Sequence, residues 1–298
     1  MQGFTYYLCI ISFMTMTSLG ADNVNVDESH INYGEFCRQK YRNMTFVPKE
    51  KHQGLDPPLL WTFPGSGSGW TRLIIEHATG HLSGSVYGDK SLLSEFRGEY
   101  FCGPIVSVIK AHPTTHNFSK IAQNSLNHRC TVKNITKAIM IIRNPFDAIF
   151  SDYNRLITRS HVGKIKKVDF NRTTWEANAK RYALLYKDMW RLSYEPFMQR
   201  YPQGYVLVRY EDLFNKELRI GLLAKIMDIM GYEYTGERLQ CAFNLANHPK
   251  VHRPVIAAAA VVTEEEAYTR PLVCDVLWPI LKNVAMANGY GAYGGMIC

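Results

Sequence analysis

The stretch Pro64-Gly65-Ser66-Gly67-Ser68-Gly69-Trp70-Thr71-Arg72 follows the largely apolar run Leu59-Leu60-Trp61-Thr62-Phe63 and leads into Leu73-Ile74-Ile75. A strand that passes through glycines and hydroxyls into a helix presents backbone N–H groups at the helix N-terminus, where the helix dipole also favours an anion. Glycine permits close approach and positive φ, and Ser66 and Ser68 can add hydroxyl donors. The unit predicts a phosphate-binding loop. Two common phosphate loops do not fit it. A dinucleotide loop needs G-x-G-x-x-G, and here the third glycine, Gly69, comes one place early. A nucleoside-triphosphate loop needs G-x-x-x-x-G-K-[ST], and no lysine precedes Thr71.

Outward from the loop, apolar runs and helical stripes alternate. Short runs at 59–63, 104–110, 137–142 and 205–210, bounded by turn signals, predict strands covered on both faces. Helices are predicted at 70–79, 145–157, 173–200 and 212–230. Trp175, Ala179, Tyr182, Tyr186 and Met189 recur at helical spacing, with Thr173 and Glu176 set as a capping box. Leu222, Leu223, Ile226, Met227 and Met230 form a second stripe, which Gly231 stops. Strands alternating with helices predict an α/β fold: a three-layer sandwich with a mostly parallel central sheet and a P-loop-like phosphate-binding loop. Binding sites in such sheets lie at the carboxyl ends of the strands, where every polar cluster named below falls. Beyond residue 255, Thr263-Glu264-Glu265-Glu266 predicts a loop entering a helix, and Pro279 predicts a break in the terminal helix.

Three ordered segments resemble the sulfotransferases. Residues 64–72, PGSGSGWTR, are similar to that family's PKSGTTWLR loop, which holds the 5′-phosphosulfate of 3′-phosphoadenosine 5′-phosphosulfate (PAPS). Residues 143–155, RNPFDAIFSDYNR, resemble its second motif, in which an arginine ending a strand and a serine eight residues on bind the 3′-phosphate. Here these are Arg143 and Ser151. Residues 208–213, VRYEDL, resemble a third block. The wording SGSVYGD at 83–89, with Glu99, is most similar to the sulfotransferase domain of the WSC-domain-containing proteins. The resemblance implies a PAPS-dependent enzyme with Gly65, Ser66, Gly67, Ser68, Gly69, Trp70, Arg72, Arg143 and Ser151 at the cofactor. Two departures stand out. The wider family's loop lysine is replaced by Gly65, and its paired threonines by Ser68 and Gly69. Arg72 and Lys110 are the candidates to restore the missing positive charge.

Lys110 and His112 end the predicted third strand in Val108-Ile109-Lys110-Ala111-His112-Pro113, similar to the family's Lys-Thr-His. The resemblance implies that His112 deprotonates the acceptor and that Lys110 supports the sulfate. An imidazole, with an ordinary pKa near 6.5, suits a base near neutrality. His116 and Glu99 are alternative bases, and His252-Arg253-Pro254 is a loose match to a late 3′-phosphate contact. Tyr210-Glu211-Asp212 reads as architectural, and Asp147 and Asp152 as a solvated helix face.

The N-terminus predicts export. Residues 4–19 (FTYYLCIISFMTMTSL) carry no charge and lead through Gly20-Ala21 into a polar segment, the pattern of a signal peptide or signal anchor over 1–21. An uncleaved anchor would make a single N-terminal membrane attachment. Residues 22–57 lack a period and read as a stem or N-terminal arm, with the sulfotransferase domain over 58–298. Asn43, Asn117, Asn134 and Asn171 stand in N-x-[ST] acceptors. Apart from Cys9, six cysteines remain: Cys37, Cys102, Cys130, Cys241, Cys274 and Cys298, an even set that suits disulfides in an oxidising lumen. None has zinc spacing, so no metal is expected. The formal net charge of +8 favours an anionic partner, while the scatter of Lys and Arg argues against nucleic acid. Together these predict a secretory-pathway enzyme, in the Golgi membrane or secreted, with a glycan or glycoconjugate acceptor. The competing expectations are a nucleotide- or glycan-binding protein of the same fold without turnover, and a kinase with a degenerate phosphate loop.

Overall fold

The strands are short and apolar on both faces. In the computed structural model, which describes residues 33–41, 43–48, 50–51, 56–113, 135–160, 163–247 and 261–298, they form one parallel sheet in the order β2-β3-β1-β4-β5. Its members are β1 (Leu59–Thr62), β2 (Gly84–Ser85), β3 (Ile109–Ala111), β4 (Ala138–Ile142) and β5 (Tyr205–Arg209). Every residue of β1, β3 and β4 is buried, as a sheet covered on both faces requires.

Alternation along the strands sorts side chains into two cores. Leu59, Trp61, Met140 and Ile142 face one side. There they meet Phe146, Ile149 and Tyr153 of α3 (Pro145–Thr158), Trp175, Ala179 and Tyr186 of α4 (Arg172–Met189), and Leu281 of α9 (Trp278–Ala287). Leu60, Ile139, Ile141 and Val208 face the other side. These pack on Ile74, Ile75 and Ala78 of α2 (Ser68–Thr79), on Leu223, Ile226 and Met227 of α6 (Arg219–Met230), and on Leu239 and Ala242 of α7 (Gly236–Ala246). The result is three layers.

Strand order places the site. The crossover from β1 through α2 leads toward β2 and β3, and that from β4 through α3 and α4 leads the opposite way to β5. The crevice of such a sheet opens where the direction reverses, between the carboxyl ends of β1 and β4.

Several elements depart from the expectations drawn from sequence. The run 104–110 becomes strand only at Ile109, because Val106 folds into a turn on Gly103 and Val47 donates its N–H to the Ile105 carbonyl. The helix expected from 212 begins at Arg219, after a 3-10 turn at Glu211–Phe214. Asn215 separates the two, its side-chain oxygen accepting from the N–H groups of Glu217 and Leu218. The long helix over 173–200 widens into a π turn at Trp190–Tyr194 before α5 (Glu195–Arg200), where Pro196 lacks an N–H and its ring crowds the preceding turn. Pro279 does the same to the terminal helix, which is π-wound over Leu272–Leu277 before α9. Thr263 and Glu266 form the capping box of the short α8 (Glu264–Ala267).

Within 22–57, Tyr33–Tyr41 is a helix, α1, and belongs with Tyr33–Cys298 in one compact unit. It lies on α7, joined by the Cys37–Cys241 disulfide and by Lys40 and Tyr41, which both reach Glu237. Cys274 pairs with Cys298, and Cys102 is also disulfide-bonded. Asn43 and Asn171 are exposed, Asn171 capping α4 through its side-chain oxygen. Among the described residues no helix is long and apolar enough to cross a membrane. The apolar stretch 4–19, Asn117, Cys130, Asn134, His116 and His252-Arg253-Pro254 lie outside the described residues.

Candidate active site

A cavity of about 900 Å³ opens at the carboxyl edge of the sheet. All five strands contribute: Pro64, Gly65 and Gly67–Trp70 after β1, Tyr87–Asp89 after β2, Lys110 and His112 at the end of β3, Arg143 after β4 and Tyr210 after β5. Ser151, Asp152 and Arg155 of α3 line a further wall.

The loop opens α2. Gly67, in the left-handed conformation at φ 82°, is the N-cap, and the first helical bond runs from the Thr71 N–H to its carbonyl. The N–H groups of Ser68, Gly69 and Trp70 therefore begin the helix without an intrahelical acceptor, on residues that line the cavity, as a helix start that suits an anion does. A Cβ on Gly67 would fall 2.3 Å from the Tyr210 ring, so glycine is what lets Tyr210 close over the loop. From beneath, the Tyr186 hydroxyl donates to the Pro64 carbonyl at 3.2 Å while its ring stacks on Phe63.

Two residues expected at the cofactor are turned away from it. Ser66 is fully buried: its N–H donates to the Phe63 carbonyl and its hydroxyl bonds Tyr186, leaving nothing for a ligand. Arg72 is also fully buried, with its guanidinium on Ser83, Glu99 and the face of Phe96 rather than on the cavity. Both brace the loop from behind. The same ion pair removes Glu99 as an alternative base.

Gly65, Gly67, Ser68, Gly69, Trp70, Lys110, His112, Arg143 and Ser151 do line the cavity together. Arg143 stacks on Tyr210, 5.0 Å from the ring centre, and donates to the Gly65 carbonyl. Trp70 is held by a parallel stack on Phe214 and by its indole N–H on Asn247. Lys110 in β3 and His112 just beyond it both pack near the Tyr87 ring.

The His112 Nδ1 lies 2.7 Å from the Thr62 carbonyl oxygen, which can only accept. Nδ1 therefore carries the proton and Nε2 is the basic nitrogen. Its backbone N–H donates to the Tyr87 hydroxyl at 2.9 Å. Burial, reinforced by the Lys110 charge, lowers the imidazole pKa to about 3, well below the value near 6.5 expected from sequence. It stays neutral near pH 7 but is a weak base until an anion bound beside it raises its proton affinity. Burial, then the nearby Arg72, pushes the Lys110 ammonium down to about 8.

Sequence reasoning missed Arg155 and Tyr210 and misread two acids. Asp152 is buried and bonds Arg155 Nε at 2.7 Å. Asp147 is partly buried beside Glu264, with which it interacts, rather than standing on a fully solvated face. Arg155 was within reach of the sequence: it stands four residues beyond Ser151, on the same face of α3. Glu211 braces the edge, accepting from the Asn144 N–H and the Tyr290 hydroxyl. No group of three or more His, Cys, Asp or Glu side chains that could hold a metal occurs among the described residues.

Comparison with known proteins identifies a family. The sulfotransferase domain profile matches residues 55–248. The chain belongs to the sulfotransferase domain family. Curated relatives include WSCD family member AAEL009094 of Aedes aegypti, 30% identical over 66% of this chain and 59% of that protein. WSCD family member CG9164 of Drosophila melanogaster is 28% identical over 61% of this chain and 53% of that protein. The chain thus spans somewhat more than half the length of these relatives. Among solved structures, mouse sulfotransferase SULT7A1 complexed with PAP aligns at a TM-score of 0.46 and 15% identity, covering 78% of this chain and 86% of that one. The sulfotransferase domain from the curacin biosynthetic pathway aligns at 0.41 and 11% identity, covering 79% and 98%.

Proposed function

We propose that this domain is a PAPS-dependent sulfotransferase that modifies a hydroxyl of a glycan or glycoconjugate in the secretory pathway. The observation that carries the reading is one cavity lined at once by the Ser68–Trp70 helix start, Arg143, Ser151, Lys110 and His112. Loop and helix start suit the 5′-phosphosulfate end of the donor, Arg143 and Ser151 its 3′-phosphate. Bound PAPS supplies the sulfuryl group and leaves as 3′,5′-ADP. Sulfuryl transfer, like phosphoryl transfer, draws its catalysis from positioning and from charge placed on the leaving group. Lys110 brings that charge. His112, neutral and with Nε2 unprotonated, is set to take the proton of the acceptor hydroxyl.

The apolar N-terminal stretch, the exposed Asn43 and Asn171 and the disulfides support the secretory setting. The glycan acceptor rests on the family resemblance and the net charge of +8.

Calorimetric titration of the purified protein with 3′,5′-ADP, ATP and NAD tests the donor. Preference for 3′,5′-ADP supports the reading, and preference for ATP replaces it with a kinase. Labelled PAPS with a glycan panel then separates an enzyme from a binding protein that has lost turnover.

A further inference from the structure

Behind Lys110 lies a buried polar network with no task in the chemistry above. The Arg72 and Glu99 side chains, both without solvent exposure, form an ion pair. Arg72 Nε also donates to the Ser83 hydroxyl at 2.8 Å, and Ser83 donates in turn to Glu76 at 2.6 Å. The guanidinium lies 3.9 Å over the Phe96 ring. Glu99 spends its other oxygen on the Asp89 N–H, at 3.2 Å. A buried ion pair contributes little net stability compared with an apolar pair of the same shape. Its position offers another reason for it. Arg72 stands two residues beyond Trp70 on the phosphate-loop helix. Phe96 and Asp89, which the pair holds, line the cavity on its far side. Lys110 sits between them, its strand paired with β2 at Ser85.

We propose that Arg72 and Glu99 are the positioning pair of this site, clamping the Tyr87–Phe96 wall to the phosphate-loop helix and setting the charge felt by Lys110. The groups facing Lys110 fit that role. After burial, Arg72 is the largest influence lowering its proton affinity, Glu99 and Asp89 oppose it, and Arg155 adds a smaller lowering. The Tyr87 ring lies 5.7 Å from the Lys110 ammonium and 5.3 Å from the His112 ring. The two members of the pair therefore pull Lys110 in opposite directions.

The assignment rests on the sulfotransferase reading only where it gives Lys110 a task in donor binding. Two readouts keep the questions apart. Carbon-13 NMR of lysine-labelled, ligand-free protein reads the Lys110 titration, and calorimetry across pH reads affinity for 3′,5′-ADP. The wild-type midpoint is expected near 8. Glu99→Gln, which can still accept from the Asp89 N–H, should move it down, and Arg72→Gln should move it up, each by roughly half a pH unit or more. The alkaline loss of 3′,5′-ADP affinity should follow in the same directions. If both single variants move Lys110 the same way, or neither moves it, the assignment is overturned. Should a single variant fail to fold, R72Q/E99Q decides, because it leaves neither member of the pair as a lone buried charge. Its midpoint must return to within about a third of a unit of wild type, and a larger displacement overturns the assignment. Opposite shifts of Lys110 in a protein that binds no 3′,5′-ADP at any pH would uphold the pair and remove the sulfotransferase reading.

Discussion

Arg143 Nη1 donates to the Gly65 carbonyl oxygen at 3.1 Å, so the guanidinium that ends β4 is tied to the loop that ends β1. The bond spans the crevice where the sheet changes direction, and the stack on Tyr210 holds the same guanidinium from β5. Arg143 is therefore fixed before any ligand arrives. Charge-assisted pairing with a phosphate from a preset position is worth about 2–3 kcal/mol. Arg143→Ala should weaken 3′,5′-ADP binding by that amount in calorimetry. A folded variant with unchanged affinity would take Arg143 out of the site.

His112 should separate chemistry from binding. His112→Ala is expected to lower kcat with labelled PAPS by roughly 10²–10⁴-fold, with 3′,5′-ADP affinity within about twofold of wild type. Because the imidazole titrates near 3, its loss of basicity lies far below neutrality. Wild-type kcat/KM should thus be flat from pH 5 to 7 and decline as pH rises through about 8, where Lys110 loses its charge. Near-normal turnover of His112→Ala at saturating acceptor would reject the base assignment.

The two glycines that replace family side chains should answer oppositely to reversal. A Cβ on Gly65 would lie 2.1 Å from the Ala148 carbonyl oxygen, in backbone at φ 78°. Restoring lysine there should cost about 2 kcal/mol or more in stability, read by denaturant melts, without improving donor affinity. At Gly69 an added Cβ meets nothing within 4 Å. Gly69→Ser should stabilise the helix start by a few tenths of a kcal/mol, flagged by a Tm rise of about 1 °C. It should also tighten 3′,5′-ADP binding roughly threefold to tenfold through the added hydroxyl. Weaker binding by Gly69→Ser would show that the cavity needs the glycine.

Glu264 carries a pH dependence of stability. Burial, then the Asp147 charge, raises its pKa from 4.5 to about 7. The Tyr268 hydroxyl bond to the Phe146 carbonyl and the Trp175 indole bond to the Ala267 carbonyl hold it against the start of α3. A carboxyl whose folded pKa exceeds its unfolded value takes up a proton on folding. Stability from this group is therefore full below about 4.5 and is lost as pH rises through about 7. Glu264→Gln should melt higher than wild type at pH 8 and alike at pH 4.5. Equal melting temperatures at both would remove the shared proton.

Sequence reaches the phosphate loop through its glycines and hydroxyls after an apolar run, and Arg143, Ser151, Lys110 and His112 only through the resemblance of their segments to the sulfotransferase motifs. It does not reach the direction in which a loop side chain points. Ser66 and Arg72 have the right chemistry for a phosphate, yet the pleat of the loop and the helical turn send both into the interior. The two residues of β2 are too few to show a period. Ile105 and Val106 read as strand because an apolar run looks the same in a buried turn. Leu239, Ala242, Phe243 and Ala246 of α7 recur at helical spacing and were within reach of the sequence, whereas the nine residues of α1 hold only a short amphipathic face. Tyr210 sits in a segment whose Glu211 is architectural, which hides its place on the cavity.

The Cys37–Cys241 bond joins residues 204 apart in sequence. During synthesis at roughly 5–20 residues per second, the thiol of α1 waits about 10–40 s before its partner is made. Cys102 is made in the interval and is a ready wrong partner. Oxidation that runs ahead of translation would trap the chain in a pairing that thiol exchange must undo. In an oxidising compartment, correct maturation would therefore depend on timing, with an isomerase as the natural remedy. A slower ribosome would raise the demand for it even though the finished fold is unchanged.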